Sequence, residues 1–324
     1  MSIEHKFIDW VKQVCERCPQ KHVVLGIGDD AAIVDHGDHL TVVSTDLIAD
    51  NVHFVLGETP NHLIGRKALA VNLSDLAAMA ATPVSVVVGF LLPRSMEFEQ
   101  AQEIFGGLKD LADQFSIAVV GGDTNCHEGP LVINCAVTGI VARGRDAANR
   151  WSMSSAKVDD AILVSGDFGN SITGKHLTFE PRVALASYLA KHYQINAATD
   201  ITDSLAIDLA AVAQKSECGV KISLADVPVS EEARKLDADP TGTLVTVGGD
   251  RVLQLPASVA GALFDGEDFE LVITVSSETA DAILADSNCP CSLTRIGYMT
   301  SSAGFQVVDE DGQVVDISPR GYEH

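Results

Sequence analysis

The sequence predicts an α/β protein of the α+β type that is divided into two domains. Strand-like apolar runs alternate with longer segments whose apolar residues recur at helical spacing, as in sheets covered by helices. Aromatic residues make up only 5% of the chain, and its small alanine and valine side chains suit the packing of helices on sheets. A polar stretch at 143–160 interrupts the pattern, so we expect an N-terminal domain over residues 1–145 and a C-terminal domain over 146–324.

The N-terminal domain is expected to hold a mixed sheet with helices. Amphipathic spacing predicts helices at 4–18, 61–80 and 97–115. Apolar runs bounded by turn residues predict strands at 22–27, 31–34, 40–45, 84–92, 117–120 and 131–142. The same signals predict the C-terminal α/β domain, with strands at 161–165, 219–224 and 270–275 and helices at 181–192 and 203–217.

Composition limits the classes of partner. The chain carries 45 Asp and Glu against 22 Lys and Arg, which gives a net charge of −23. This balance argues against nucleic acid as the main partner, because a phosphate backbone requires a basic surface. No apolar stretch reaches the roughly 18 residues of a membrane span, and the N-terminus lacks a signal-peptide pattern, so we expect a cytoplasmic protein. Cys15 and Cys18 are expected to be ordinary thiols.

The glycine turn GIGDDA at 26–31 matches the dinucleotide-binding pattern, but its context does not fit. The chain reaches Gly37 too soon for the helix that would receive a pyrophosphate, and the carboxylates of Asp29 and Asp30 would repel it. The segment at 169–176 has a glycine and lysine spacing like that of a P-loop, but His176 stands where Ser or Thr would bind Mg²⁺. Neither segment is predicted to hold a phosphate directly.

Acidic residues recur instead at strand ends and beside helices. They fall into groups at 29–30, 44–46, 72–75, 121–123 and 200–203. Each group alone could be a turn or a helix cap. Asp75 is harder to explain in this way, since it stands in the apolar helix-like sequence LSDLAAMA. Together the groups predict sites for several Mg²⁺ ions, which would in turn hold a polyphosphate.

These motifs resemble those of the thiamine-monophosphate kinases, which have the aminoimidazole-ribonucleotide-synthetase type of fold. The resemblance spans nearly the whole chain and is carried by GIGDDA at 26–31, STD at 44–46, NVHF at 51–54, KALAVNLSDLAAM at 67–79, GGDT at 121–124, PR at 181–182, GEDFEL at 266–271, IG at 296–297 and GYEH at 321–324. It implies a homodimer and ATP clefts lined by the N-terminal domains. The implied reaction transfers the γ-phosphoryl group of ATP to thiamine monophosphate, giving thiamine diphosphate and ADP. No catalytic side chain is expected, since the attacking group is already a phosphate oxygen.

The resemblance also implies roles for individual residues. The implied Mg²⁺ ligands are Asp30, Ser44, Thr45, Asp46, Asp75, Asp123, Asp200 and Asp203. The implied contacts to ATP are Gly122, Asp123, Thr202 and Arg150, with Arg145 as the alternative to Arg150. The implied contacts to thiamine phosphate are His53, Glu267 and Tyr322. Asp29 is expected to be a turn residue or to lie behind Asp30.

Two positions depart from the family's pattern. Ser204 stands where a glycine usually follows the second-domain aspartate, and Asp265 replaces the first of two glycines before Glu267. A side chain at Ser204 would hinder a close backbone approach or a positive φ. A diverged, non-catalytic nucleotide- or metal-binding relative is therefore one alternative. Another is a different ATP-using enzyme of the same superfamily, such as a selenophosphate synthetase, a hydrogenase-maturation dehydratase or a purine-synthesis ligase.

Overall fold

The structure is a computed structural model that describes residues 3–15, 21–141, 151–238, 242–247, 251–309 and 311–321. Within these residues the chain forms two units, one within Met1–Leu76 and Ala81–Ala148 and the other within Ala77–Ala80 and Asn149–Tyr322. The expected boundary between residues 145 and 146 lies outside the described part, so it stays a prediction.

The first unit is built on a mixed sheet, as the sequence predicts. Its elements in chain order are α1 (Ile3–Cys15), β1 (Val23–Leu25), β2 (Ala32–Asp35), β3 (Leu40–Ala49), α2 (Asn61–Ala78), β4 (Thr82–Pro93), α3 (Phe98–Gln114), β5 (Ala118–His127) and β6 (Val132–Val141). The six strands pair in the order β1-β2-β3-β6-β4-β5. The β4–β5 pair is parallel and the other neighbours are antiparallel.

The two faces of this sheet differ in exposure. Along β3, the buried side chains of Val42 and Ile48 alternate with the exposed side chains of Val43 and Leu47. Helix α2 lies on the buried face, where the side chain of its Asp75 meets that of Ser44. Successive strand residues point to opposite faces, so this alternation decides which predicted site residues can meet α2.

Helices α2 and α3 cross at backbone contact. A Cβ atom added to Gly65 would lie 1.6 Å from the carbonyl oxygen of Ile104, and one added to Gly107 would lie 1.7 Å from that of His62. Only glycine allows an approach this close. The crossing fixes α2 and, with it, the depth of Asp75 over the sheet.

The second unit is built on a larger sheet. Its elements in chain order are β7 (Ala161–Ser165), α4 (Lys175–Thr178), α5 (Val183–His192), β8 (Ala197–Asp200), α6 (Leu205–Lys215), β9 (Gly219–Ser223), α7 (Glu231–Arg234), β10 (Thr243–Val247), β11 (Arg251–Leu255), α8 (Ala257–Phe264), β12 (Leu271–Val275), α9 (Ser277–Leu284), β13 (Leu293–Thr300), β14 (Phe305–Val308) and β15 (Val314–Asp316). Seven strands pair in the order β15-β14-β9-β13-β7-β12-β8, and β10 pairs with β11. Every residue of β7 and of β12 is buried, which explains their unbroken apolar sequences.

One predicted strand end is wrong. The strand predicted at 117–120 continues as β5 to His127, so Gly121, Gly122 and Asp123 lie inside a strand and not in a turn after it. The full length of β5 could not be predicted from its polar residues, because this edge strand is mostly exposed and shows no alternation of apolar side chains.

Two further findings concern membranes and thiols. Over the described ranges, none of the helices combines the length and apolar character that crossing a bilayer requires. The cysteines among these residues, including exposed Cys15, are free thiols, whereas Cys18 lies outside the described residues.

Candidate functional site

The glycine turn before β2 is folded onto β3. Gly28 has a φ of 114°, a left-handed conformation that favours glycine. The N–H of Asp30 donates to the carboxylate of Asp29 at 3.2 Å, so Asp29 stabilises the turn. The hydroxyl oxygen of Ser44 lies 3.4 Å from the carbonyl oxygen of Asp30. The turn therefore places Asp30 beside the polar part of β3.

Two carboxyl groups meet at the buried face of the sheet. Ser44 and Asp46 point to the same face of β3, and the hydroxyl of Ser44 donates to the carboxylate of Asp75 on α2. Burial raises the pKa of Asp46, and a side-chain hydrogen bond with Asp75 offsets part of that rise. Adjacent carboxyl groups cannot both be charged cheaply unless a cation lies near them. The contact explains why α2 carries an aspartate within an apolar sequence.

Two buried polar residues of α2 bond to β3 and to the segment after it, and the sequence interpretation did not assign them a role. Asn72 accepts from the N–H of Asp46 at 3.0 Å and donates to the carbonyl oxygen of Ala68 at 3.0 Å. Lys67 is fully buried, and its ammonium group donates to the carbonyl oxygen of His53 at 3.1 Å. The sequence could have indicated this role, because Asn72 and Lys67 place an amide and an ammonium group in a helix that is otherwise largely apolar.

Thr45 and Asp123 lie on the opposite face. Thr45 is exposed between Ser44 and Asp46, and its hydroxyl donates to the carbonyl oxygen of Cys135 at 3.0 Å. Asn134 on β6 donates to the hydroxyl of Thr45 at 2.9 Å and to the carbonyl oxygen of Asp46 at 3.1 Å. Gly89 pairs with both Asn134 and Asp123, so Asp123 shares this exposed face. The sheet thus separates Thr45 and Asp123 from the pair formed by Asp46 and Asp75.

Gly122 and His53 are held by close backbone contacts. A Cβ atom at Gly122 would lie 1.9 Å from the carbonyl oxygen of Val88, so a side chain there would push β5 away from β4. The Nδ1 atom of His53 accepts from the N–H of Ala49 at 3.1 Å. This hydrogen bond fixes the imidazole ring just after the end of β3.

In the second unit, the predicted residues at 200–203 form a loop that is tied to one carboxylate. Asp200 is buried at the end of β8. The N–H groups of Thr202, Asp203 and Ser204 converge on Oδ2 of Asp208 at 2.9, 3.1 and 3.2 Å. Burial raises the pKa of Asp208 well above its ordinary value, and the charges of Asp203 and Asp200 add to that rise. Asp208 was not predicted from the sequence, because its role depends on the loop geometry.

Ser204 is accommodated without strain. Its φ is 172°, which is extended backbone that any residue adopts. Its hydroxyl accepts from the N–H of Ile207 at 3.1 Å as the N-cap of α6 and donates to the carbonyl oxygen of Arg320 at 2.9 Å. The helix cap in this segment is therefore Ser204, and the alternative that Asp200 or Asp203 is only a cap is wrong.

The second departure, Asp265, also has a partner. Its carboxylate accepts from the N–H of Asn170 at 2.9 Å, and burial raises its pKa. The glycine that is retained, Gly266, is packed so closely that a Cβ atom would lie 2.6 Å from the carbonyl oxygen of Thr202. The following residue, Glu267, donates its N–H to that same oxygen at 2.7 Å. The loop that carries Glu267 is therefore fixed to the loop at 200–203.

Some of the predicted residues lie outside the described part of the chain. They are Arg145, Arg150 and Tyr322. Within the part that is described, no three His, Cys, Asp or Glu side chains are grouped closely enough to hold a metal ion by themselves.

Comparison with known proteins gives consistent matches over both units. The family model of the N-terminal domain of AIR synthase related protein matches residues 28–141, and that of the C-terminal domain matches residues 147–310. A thiamine-monophosphate kinase of Rhodopirellula baltica is 32% identical over 330 residues, which cover 99% of this chain and 97% of that protein.

Solved structures give similar matches. Thiamine-monophosphate kinase from Stenotrophomonas maltophilia K279a is 31% identical, with a TM-score of 0.71 over 95% of each chain. The structure of AaThiL complexed with AMPPCP and TMP has a TM-score of 0.80 and 24% identity over 100% of this chain and 99% of that one, and it shares the fold.

Proposed function

Because this chain belongs to the thiamine-monophosphate kinases, within the AIR synthase related proteins, we propose that it transfers the γ-phosphoryl group of ATP to thiamine monophosphate. The products are thiamine diphosphate and ADP. The observation that carries this proposal is the 32% identity to a kinase of that name over 99% of the chain. The fold shared with a protein solved with AMPPCP and TMP supports the pairing of a nucleotide with a second substrate.

The chemistry of phosphoryl transfer fits the side chains that are present. The attacking atom is a phosphate oxygen that is already charged, so no general base is needed, and the protein has to align two anions. The oxygen-rich residues Asp30, Ser44, Asp46 and Asp75 are held in place by Asn72 and the glycine turn. They provide a rigid position from which substrate phosphates can be oriented.

The donor set fits Mg²⁺. Magnesium prefers oxygen ligands and commonly takes one or two carboxylates from the protein, the remainder being water and substrate phosphate. Asp46 and Asp75 would hold one ion at the buried face. Thr45 on β3 and Asp123 on β5 are separated by two strands, so they are proposed as ligands of different ions. When bound, Mg²⁺ neutralises the charge between the ATP tail and the phosphate of the second substrate.

The remaining predicted residues receive roles on the same basis. Asp200 and Asp203 are proposed as further Mg²⁺ ligands, with Asp208 holding their loop. Gly122, Thr202 and Arg150 are proposed to contact ATP. His53, Glu267 and Tyr322 are proposed to contact thiamine monophosphate. We place the protein in the cytoplasm, where ATP is available.

A homodimer is proposed through the exposed face of the first unit's sheet. The exposed apolar residues of this face are Val43, Leu47, Val87 and Ile140. A sheet face with several exposed apolar side chains is typical of a surface that is buried by association. A second copy would cover it, as the resemblance implies.

The alternative of a decayed, non-catalytic relative rested on Ser204 and Asp265. Both side chains have hydrogen-bond partners, and neither residue adopts the left-handed conformation, so neither marks a collapsed site. Incubation of the purified protein with ATP, Mg²⁺ and thiamine monophosphate, followed by chromatography, tests the proposal. Thiamine diphosphate above a protein-free control is expected. Its absence would contradict the proposal and favour a binding protein or another enzyme of the superfamily.

A further inference from the structure

The loop that presents Glu267 has an unusual backbone. Glu267 has a φ of 61° and Phe269 has a φ of 50°, so two residues with side chains adopt the left-handed conformation on either side of Asp268. Each such residue costs free energy and persists only where its surroundings determine it. Backbone hydrogen bonds tie both residues down, from Glu267 to Thr202 and from Phe269 to Ile201.

Hydrogen bonds from neighbouring segments hold the two carboxylates of this loop that follow Glu267. The carboxylate of Asp268 accepts from the hydroxyl of Ser171 and from the N–H of Gly169. The carboxylate of Glu270 accepts from Arg182 through two hydrogen bonds, each 2.7 Å long. The side chains of Asp268 and Glu270 are thus held in buried positions, whereas the side chain of Glu267 is partly exposed.

A histidine on α4 contacts this side chain. The Nδ1 atom of His176 lies 3.2 Å from Oε2 of Glu267. The side chain of His176 is 6% exposed and that of Glu267 is 14% exposed, so the histidine lies behind the glutamate and the glutamate is nearer to solvent. A contact between two nearly buried side chains restricts the rotation of both.

We propose that His176 is a positioning residue that orients the carboxylate of Glu267 toward thiamine monophosphate. This inference rests on the proposed function and extends it to a residue for which the sequence analysis gave no such role. The substrate carries a cationic ring and amino hydrogens, and a carboxylate held in one orientation binds such groups better than a mobile one. His176 acts through Glu267 and does not itself touch the substrate.

The test uses the full-length protein and separates the two Michaelis constants. Replacing His176 with leucine is expected to raise the KM for thiamine monophosphate about tenfold, in the range expected for losing one charge-assisted hydrogen bond. The KM for ATP should stay within about twofold. H176N, whose amide can donate from the position of Nδ1, should recover most of the loss. H192L, at an exposed histidine of α5, is the matched control and should behave like the wild type.

A double mutant distinguishes positioning from a structural role. If His176 acts through Glu267, adding H176L to E267Q should cause no further rise in the KM for thiamine monophosphate. Additive effects, or an equal rise in both Michaelis constants, would overturn the inference while leaving the proposed function intact. A wild-type protein without turnover would overturn both. The dissociation constant of thiamine monophosphate, measured by calorimetry, should rank the variants in the same order as the KM does. A different order would contradict the action of His176 through Glu267.

Discussion

At the scale of single residues, the contact between Asp46 and Asp75 is the feature that most needs a function. Burial raises the pKa of Asp46, and Ser44 and Asn72 hold the two elements that bring the carboxyl groups together. A protein selected for stability alone would gain by replacing such a pair with apolar side chains. A Mg²⁺ ion bound at this pair, as proposed above, would offset the cost of bringing the two carboxyl groups together.

Asp75→Asn tests the role of this pair. The amide keeps the size of the side chain and can still accept from Ser44, but it removes the charge that a Mg²⁺ ion requires. We expect kcat to fall at least about 100-fold while the melting temperature is unchanged or higher, since a repulsive contact is relieved. Chromatographic rates and thermal unfolding measure the two effects. Asp113→Asn, at an exposed residue of α3, is the control, and near-normal Mg²⁺-dependent turnover in the Asp75 variant would refute the assignment.

Ser204 gives a prediction about stability. Its hydroxyl caps α6 and bonds to the carbonyl oxygen of Arg320, so S204A should lower the free energy of unfolding by roughly 0.5–2 kcal/mol. S204G should cost only a few tenths of a kcal/mol and should not raise turnover, because the backbone here is already extended. Urea unfolding and rate assays decide both points, with exposed Ser301→Ala as the control. An S204G variant faster than the wild type would revive the idea of a decayed site.

At the scale of helices and strands, long periodic segments could be predicted and short or polar ones could not. Helix α2 and strand β7 were predicted nearly to their ends, because each has a long or continuous apolar sequence. Strand β8 was missed because its four residues, AATD, carry no strand signal, and β5 was cut short at Gly121. Strand order and register lie beyond a single sequence, since they depend on which edges pair.

The same limit applies to the site. The acidic residues of the first unit were predicted as site residues from motifs. That Thr45 and Asp123 lie on the opposite face of the sheet from Asp46 could not be predicted, because it depends on strand register. Supporting residues such as Asn134 and Asp208 were missed, because their hydrogen bonds join segments that are distant in sequence or depend on the loop geometry, and such contacts leave no motif.

Buried Asp268, whose carboxylate accepts from the N–H of Gly169, gives a prediction about how the stability of the protein depends on pH. Burial raises the pKa of Asp268 from 3.8 to about 7, and the charge of Lys175 offsets part of that rise. A folded-state pKa above the unfolded value means that the protonated carboxyl stabilises the fold at low pH. This stability is fully present below about pH 4 and is lost as the pH rises to about 7.

D268N should remove that dependence, because its amide stays neutral. The free energy of unfolding of the wild type, relative to D268N, should fall by a few kcal/mol between pH 4 and pH 7. Urea unfolding at pH 4, 5.5 and 7 measures the difference, and exposed Asp226→Asn is the control. Parallel pH profiles for the wild type and D268N would show that Asp268 ionises normally.

At the scale of the whole molecule, the exposed sheet face of the first unit predicts the oligomeric state. Leu47 is 53% exposed on this face, whereas Leu236 is 42% exposed in the second unit and far from it in sequence. L47D should shift the protein from dimer to monomer, because a carboxylate buried between two apolar sheets is costly. Leu236→Asp should leave the dimer intact. Sedimentation equilibrium gives the masses, and a wild-type monomer would contradict the proposed interface.

The proposed reaction passes one phosphoryl group directly from ATP to thiamine monophosphate. The most direct measurement uses ATP labelled at the γ-phosphate and follows the label into products as ADP accumulates. We predict that the label appears in the terminal phosphate of thiamine diphosphate, in a one-to-one ratio with ADP and only when Mg²⁺ is present. Label that appears as inorganic phosphate, with no labelled thiamine diphosphate, would contradict the proposed direct transfer.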